Sequence, residues 1–247
     1  MTERRLFDSV ASEYDATRPD YPAQLFDALE SAMGQPLLWS DVCDVGAGTG
    51  IATRAIAGRG ATVTAVDPGL GVLQVLKARS TSRVHVVAGD SNALPLRDGL
   101  FDLVTYAQSF HWTDPEAAVD EAFRVLKPGG VLALWWNQHD LTVPWFAEHQ
   151  QRVNTACGWT GRTDDAWAAD LLRAGHWGAR VATVTIPWSR RITIADLGRN
   201  IATKSYVLAL SDHGAALIAA EVARLTAEQP DGHVVEPFTT YAVLARR

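Results

Sequence analysis

The stretch Val42-Cys43-Asp44-Val45-Gly46-Ala47-Gly48-Thr49-Gly50 reads as an apolar strand that enters a glycine-rich turn and leaves it directly as a helix. Glycine suits such a turn because the backbone must bend sharply and a ligand can approach where a Cβ would collide. The first N–H groups of the following helix have no partner within it. These features point to a nucleotide-like ligand, or else to nothing more than a tight strand-to-helix corner. The spacing narrows the first reading. A dinucleotide fingerprint G-x-G-x-x-G would place its third glycine at position 51, whereas the chain has Ile51 there and Gly50 one residue earlier. A nicotinamide dinucleotide therefore fits poorly.

Downstream, Ala61-Thr62-Val63-Thr64-Ala65-Val66 reads as a buried strand that ends in Asp67. In a parallel sheet, ligands sit outside the carboxyl ends of the strands, and an acid about 20 residues beyond the glycines is placed to accept from both hydroxyls of a ribose. The alternative is that Asp67-Pro68 only opens the helix expected over residues 70–79, as an N-cap followed by a first-turn proline. A third strand, Val84-His85-Val86-Val87-Ala88, leads into Gly89-Asp90-Ser91-Asn92-Ala93-Leu94-Pro95, which puts Asp90 at a third strand end.

Strands expected near 41–46, 61–67, 83–88, 101–107 and 130–136 alternate with helical patterns, so the fold class is α/β with a mostly parallel sheet. The clearest helix follows Thr113, with Asp114 as N-cap, Pro115 in the first turn and Ala118, Val119, Ala122, Phe123 and Leu126 on one face; Pro128-Gly129-Gly130 is expected to end it. Beyond residue 138 the pattern changes to aromatic-rich helices near 144–157 and 164–174 and two between 193 and 228, which read as a cap. Strands near 179–187 and 234–245 would complete the sheet. No repeat, low-complexity tract or linker-like stretch separates independent domains.

With 247 residues and 47% hydrophobic content the chain can bury one substantial core. A formal charge of −6 provides no basic footprint for nucleic acid. The two cysteines, Cys43 and Cys157, lack paired-ligand spacing and are read as reduced. The seven histidines show no H-E-x-x-H or paired spacing, so no metal is expected. No apolar leader or run of about 20 apolar residues appears, which by default predicts a cytoplasmic protein outside the membrane. Oligomeric state is not legible.

Five blocks carry a family resemblance: DVGAGTG at 44–50, AVDP at 65–68, GDSNALP at 89–95, FDLVTYAQSFHW at 101–112 and RVLKPGGVLALWWN at 124–137. In order and spacing they resemble the class I S-adenosylmethionine-dependent methyltransferases, within the small-molecule group known as the methyltransferase type 11 domain. The segment 11–22 looks like that family's amino-terminal segment, and the part after residue 138, including Lys204-Ser205-Tyr206-Val207, looks like a bacterial subgroup. The resemblance implies a Rossmann-like, doubly wound sheet of seven strands with the last antiparallel, plus helical cap elements, in a single domain over 1–247. Residues 1–40 would form a helical amino-terminal segment, 41–137 the cofactor-binding core, and 138–247 the rest of the sheet with the substrate cap.

The same resemblance implies S-adenosylmethionine as cofactor and S-adenosylhomocysteine as product. Gly46, Ala47, Gly48 and Gly50 would wrap the amino-acid moiety, Asp67 would take the ribose, and Asp90 with the Ser91 backbone the adenine, with Asp44 and Pro68 also among the cofactor-binding residues. Gln108 joins this set, and Tyr14 and Arg18 would cover the amino-acid end, where Arg18 could pair with the carboxylate.

Displacement at a sulfonium methyl requires a nucleophile in line with the departing sulfur, and good alignment in a closed site removes roughly 7 to 11 kcal/mol of barrier without a covalent enzyme nucleophile. A carboxylate acceptor is already ionised, while a hydroxyl or ammonium must lose a proton. His111, after the fourth strand, and Tyr14 are the candidates for catalytic polar work, with His139 behind them. Among the tryptophans, Trp135 and Trp39 read as packing or boundary residues, and Trp112, Trp136 and Trp145 as candidate substrate-pocket walls. The expected activity is methylation of a small organic acceptor, preferably at a carboxylate or hydroxyl oxygen. N- or C-methylation, a non-catalytic cofactor-binding protein and a dehydrogenase are the alternatives.

Overall fold

The computed structural model describes residues 17–158, 166–204, 207, 210 and 212–247. Its strands are β1 (Asp41–Val45), β2 (Thr62–Asp67), β3 (Val84–Ala88), β4 (Phe101–Ala107), β5 (Leu126–His139), β6 (Arg180–Thr193) and β7 (His233–Arg246). They form one seven-stranded sheet in the order β3-β2-β1-β4-β5-β7-β6, with the last strand in sequence antiparallel to the other six. The helices are α1 (Ala23–Met33), α2 (Ile51–Gly58), α3 (Leu70–Arg79), α4 (Pro115–Val125), α5 (Pro144–Cys157), α6 (Ala166–Ala174), α7 (Ile194–Ala202) and α8 (Asp212–Glu228). The α/β class expected from the alternation, and the doubly wound seven-stranded sheet implied by the family resemblance, are the ones observed.

Two details differ from the sequence reading. Pro128-Gly129-Gly130 lies within β5 instead of ending α4, because α4 stops at Val125 and the strand begins at once. The register jumps from Phe101 opposite Leu126 to Leu103 opposite Val131, so the extra β5 residues form an irregular bulge. Asp67-Pro68 does not open α3, which starts at Leu70 with Gly69 as its N-cap and no side-chain cap. The expected opening of α4 is present, with the Asp114 side chain accepting from the Ala117 N–H at 3.2 Å.

The chain divides into two compact units. The described residues of the larger are 20–137, 166–186 and 240–247. Side-chain alternation along its strands buries both faces of its sheet. Val42, Val63, Leu103, Val131, Ala133 and Trp135 pack with α1 and α2 on one face. Cys43, Val45, Val104, Tyr106, Leu132, Leu134 and Trp136 pack with α4 and α6 on the other. Trp135 is fully buried and meets Tyr21 edge-on at 5.6 Å, whereas Trp39 is 74% exposed at the boundary before β1.

The described residues of the smaller unit are 17–19, 138–158, 187–204, 207, 210 and 212–239. Its core is Val153 from α5, Ile194, Leu197 and Ile201 from α7, Leu225 from α8, and the strand residues Ile192 and Val234. Two buried carboxylates organise its polar groups. Glu236 accepts from Arg190 Nε at 2.7 Å and meets His139 Nε2 at 3.1 Å, while Glu221 meets His149 Nδ1 at 2.7 Å and accepts from Arg152 and Arg224. Burial would raise the Glu221 carboxyl, but the bonds from Arg224, Arg152 and His149 outweigh it and hold the group down at about 2.

Candidate active site

The register aligns Val45 with Val66 and Asp44 with Thr105, so the carboxyl ends of β1, β2 and β4 lie side by side. Ligands bind at such strand ends in doubly wound sheets. The Val66 carbonyl accepts from the N–H groups of Gly46 at 2.8 Å and Ala47 at 3.1 Å. Asp67 Oδ2 accepts from the Gly48 N–H at 3.0 Å, and its Oδ1 accepts from the Gly69 N–H at 2.7 Å. The turn is thereby fastened through three successive amides to the end of β2.

The alternation that sends Val42 toward α2 sends Asp44 the same way. Asp44 is fully buried, and its oxygens accept from Thr53 Oγ1 at 2.6 Å and Thr105 Oγ1 at 2.8 Å. Burial raises its carboxyl to about 6, against the opposing effect of those two hydroxyls. With no exposed surface, Asp44 lies beneath the turn as a brace between β4 and α2.

Gly46 and Gly48 differ in what surrounds them. A Cβ at Gly46 would lie 2.4 Å from Ser109 Cβ, while one at Gly48 would meet nothing within 4 Å; both residues have positive φ, +68° and +55°. Ser109 Oγ in turn donates to the Val45 carbonyl at 2.7 Å. Between the later glycines, Thr49 is 4% exposed, and its Oγ1 has no hydrogen-bond partner among the described residues. An unpartnered buried hydroxyl in a glycine turn, over an open approach at Gly48, fits a polar small molecule docked against the backbone.

Asp90 and Pro68 are exposed, and Ser91 is half-buried. Asp90 Oδ1 accepts from the Asn92 N–H at 2.9 Å, and Asn92 Oδ1 accepts from the Asp114 N–H at 3.1 Å, which ties this loop to the start of α4. Gln108 occupies the left-handed region with φ +60°, a conformation that costs a non-glycine residue about 1 to 3 kcal/mol and clusters at functional sites. Its side chain donates to the Asn137 carbonyl at 3.3 Å. His111 and Trp112 are exposed on a 3-10 turn (Phe110–Trp112), while Trp136 is buried and its indole N–H donates to His111 Nδ1 at 3.1 Å.

The larger unit thus brings together Asp44, Gly46, Ala47, Gly48, Gly50, Asp67 and Pro68, with Gln108, His111, Trp112 and Trp136 following from β4 and β5. Arg18, His139 and Trp145 belong to the smaller unit. There Trp145 packs edge-on against Phe146 at 5.2 Å, and burial pushes the His139 imidazole down to about 4. Tyr14 lies outside the described residues. Thr49, Thr53, Thr105 and Ser109 escaped the sequence reading; the hydroxyl between Gly48 and Gly50 was the only local signal among them.

Residues 43–134 match a family model described as a methyltransferase domain. An uncharacterized methyltransferase of Mycobacterium tuberculosis is 34% identical over 202 residues, covering 82% of this chain and 77% of its own length. A demethylmenaquinone methyltransferase of Renibacterium salmoninarum is 36% identical over 138 residues, 52% of this chain and 56% of that protein. A structure described as a type II methyltransferase from Anaeromyxobacter dehalogenans superposes with a TM-score of 0.68 at 22% identity, covering 93% of this chain and 96% of that one. That last likeness concerns the fold. Sheet order, glycine turn and sequence relatives define a class I methyltransferase. The chain belongs to the methyltransferase type 11 domain family.

Among the described residues no helix is long and apolar enough to cross a membrane.

Proposed function

We propose that this protein is an S-adenosylmethionine-dependent methyltransferase acting on an oxygen, carboxylate or hydroxyl, of a small organic acceptor. The observation that carries the cofactor reading is the turn itself: Gly48 held by Asp67, with the buried Thr49 hydroxyl unpartnered beside it. The class I fold and domain imply the same cofactor. A net charge of −6 and the name of the demethylmenaquinone relative both favour a small-molecule acceptor over nucleic acid.

In this reading Gly46, Ala47, Gly48 and Gly50 hold the amino-acid moiety, with Asp44 bracing them from below. Asp67 and Pro68 hold the ribose, and Asp90 and Ser91 the adenine. Gln108 adjoins the cofactor, and Trp112 and Trp136 shape the acceptor side next to His111. When bound, S-adenosylmethionine supplies an electrophilic methyl group on a sulfonium. The contribution of the chain is to align the acceptor oxygen and exclude water from it.

Calorimetry with S-adenosylmethionine and S-adenosylhomocysteine, with NAD as control, tests the cofactor. Binding of the sulfonium and its thioether product, without NAD, is the expected outcome; NAD binding, or no binding of either, would overturn the reading. A labelled-methyl assay across acids, phenols and amines then tests the acceptor.

A further inference from the structure

The turn after β4 leaves His111 exposed above a buried Phe110. Trp136 Nε1 lies 3.1 Å from His111 Nδ1. An indole nitrogen donates and cannot accept, so the lone pair of Nδ1 is engaged and the neutral ring carries its proton on Nε2. Trp136, 4% exposed, is set among Leu132, Leu134 and Tyr106 in the core, so this donor is held rigidly. Protonating the ring would face N–H against N–H. Desolvation acts in the same sense, holding the imidazole below its ordinary value, and among the described residues no charged group contributes to that shift. The Trp112 ring, 56% exposed, lies 5.0 Å away. Two residues earlier Ser109 is bonded to Val45 and packed against Gly46, so the segment that carries His111 is anchored to the glycine turn.

A general base must offer a free lone pair, and this ring presents an N–H instead. We propose that His111 is a hydrogen-bond donor, not a base, and that its Nε2–H holds one oxygen of a carboxylate acceptor whose other oxygen is methylated. This rests on the methyltransferase reading above. A carboxylate needs no proton removed, and it offers a second oxygen to the donor. In the step, a bond forms between the carboxylate oxygen and the methyl carbon as the carbon–sulfur bond breaks, and the pair from that bond stays on sulfur. The carboxylate's negative charge and the sulfonium's positive charge cancel, giving a neutral ester and a neutral thioether with no proton transferred.

Nitrogen NMR of the histidine ring in the whole chain, without added ligand, reads the tautomer directly. Nδ1 unprotonated with Nε2 protonated at neutral pH is expected, with that single tautomer lost in Trp136→Phe; an Nδ1–H ring in the wild type overturns the proposal. In the labelled-methyl assay turnover is expected with small carboxylic acids. His111→Gln, which keeps an amide donor but cannot act as a base, should retain kcat/KM within about tenfold and the wild-type pH profile, while His111→Ala loses on the order of a hundredfold. Equal loss in both variants, with an ascending acid limb present only in the wild type, would establish a base and overturn the donor role. Cofactor binding together with methylation only of phenols or amines, or of no acid tested, overturns the acceptor class alone. Absence of S-adenosylmethionine binding overturns the underlying reading as well.

Discussion

Asp67 Oδ2 holds the backbone N–H of Gly48 at 3.0 Å, joining the end of β2 to the middle of the glycine turn across 19 positions. One carboxylate therefore serves both the architecture of the turn and, in the proposed function, the ribose.

Asp67→Ala should show both losses. Freeing the Gly48 and Gly69 amides lowers stability by about 1 to 3 kcal/mol, and S-adenosylmethionine affinity should fall at least about tenfold, since a ribose diol loses its acceptor. Asp67→Asn, which keeps one acceptor oxygen, should recover part of the thermal stability but not the affinity. Calorimetric affinity equal to wild type in the alanine variant would remove Asp67 from the ribose site.

The two glycines should separate stability from binding. Gly46→Ala collides with Ser109 and occupies a left-handed backbone, so it should cost more than Gly48→Ala, which meets only the backbone penalty of about 1 to 2 kcal/mol. Urea melts measure the gap. Gly48→Ala should nevertheless weaken cofactor binding, because its new methyl group occupies the open approach.

Asp44 should oppose stability as pH rises. Its folded value of about 6 lies above its ordinary 3.8, so between those values the folded chain binds more protons than the unfolded one, and stability is lost as pH climbs through the window and is level above it. Asp44→Asn should remove that slope. At pH 7.5 it should match or exceed wild type by up to about 3 kcal/mol, two pH units at 1.36 kcal/mol each. Chemical melts of the pair across pH 4 to 8 check this, and parallel curves would contradict it.

Glu221 has the opposite sign. Its folded value of about 2 lies below the ordinary 4.5, so its stabilisation is present above that ordinary value and disappears as pH falls toward 2. Glu221→Gln takes the carboxylate from His149, Arg152 and Arg224; both guanidiniums are partly exposed and keep Glu148 and Glu228 as partners, so the cost should be about 1 to 3 kcal/mol at neutral pH. Thermal scans should show the variant's deficit shrinking below pH 4.

The strands were readable where both faces are buried, since Val42–Val45 and Phe101–Ala107 are near-continuous apolar runs. The opening of α4 was readable because Asp114-Pro115 is a local signal. Pro128-Gly129-Gly130 misled because helix termination and a strand bulge use the same residues, and only pairing with β4 distinguishes them. Asp44 stood out as a carboxylate beside the glycines, but its partners Thr53 and Thr105 lie 9 and 61 positions away and carry no mark in the sequence. Likewise, Glu236 and Glu221 gain their importance from His139 and His149, at separations of 97 and 72. His111 could be nominated from its place after β4. Its tautomer depended on an indole from the neighbouring strand.

Cys43 sits at the centre of β1, fully buried, with β2 on one side and β4 on the other, and burial pushes its thiol well above the ordinary range. Thiolate chemistry is closed to it while those three strands remain paired. A thiol reagent in solution can reach that sulfur only when the sheet parts, so its rate of modification times the opening of the innermost strands, and the protein carries a built-in clock for its own unfolding.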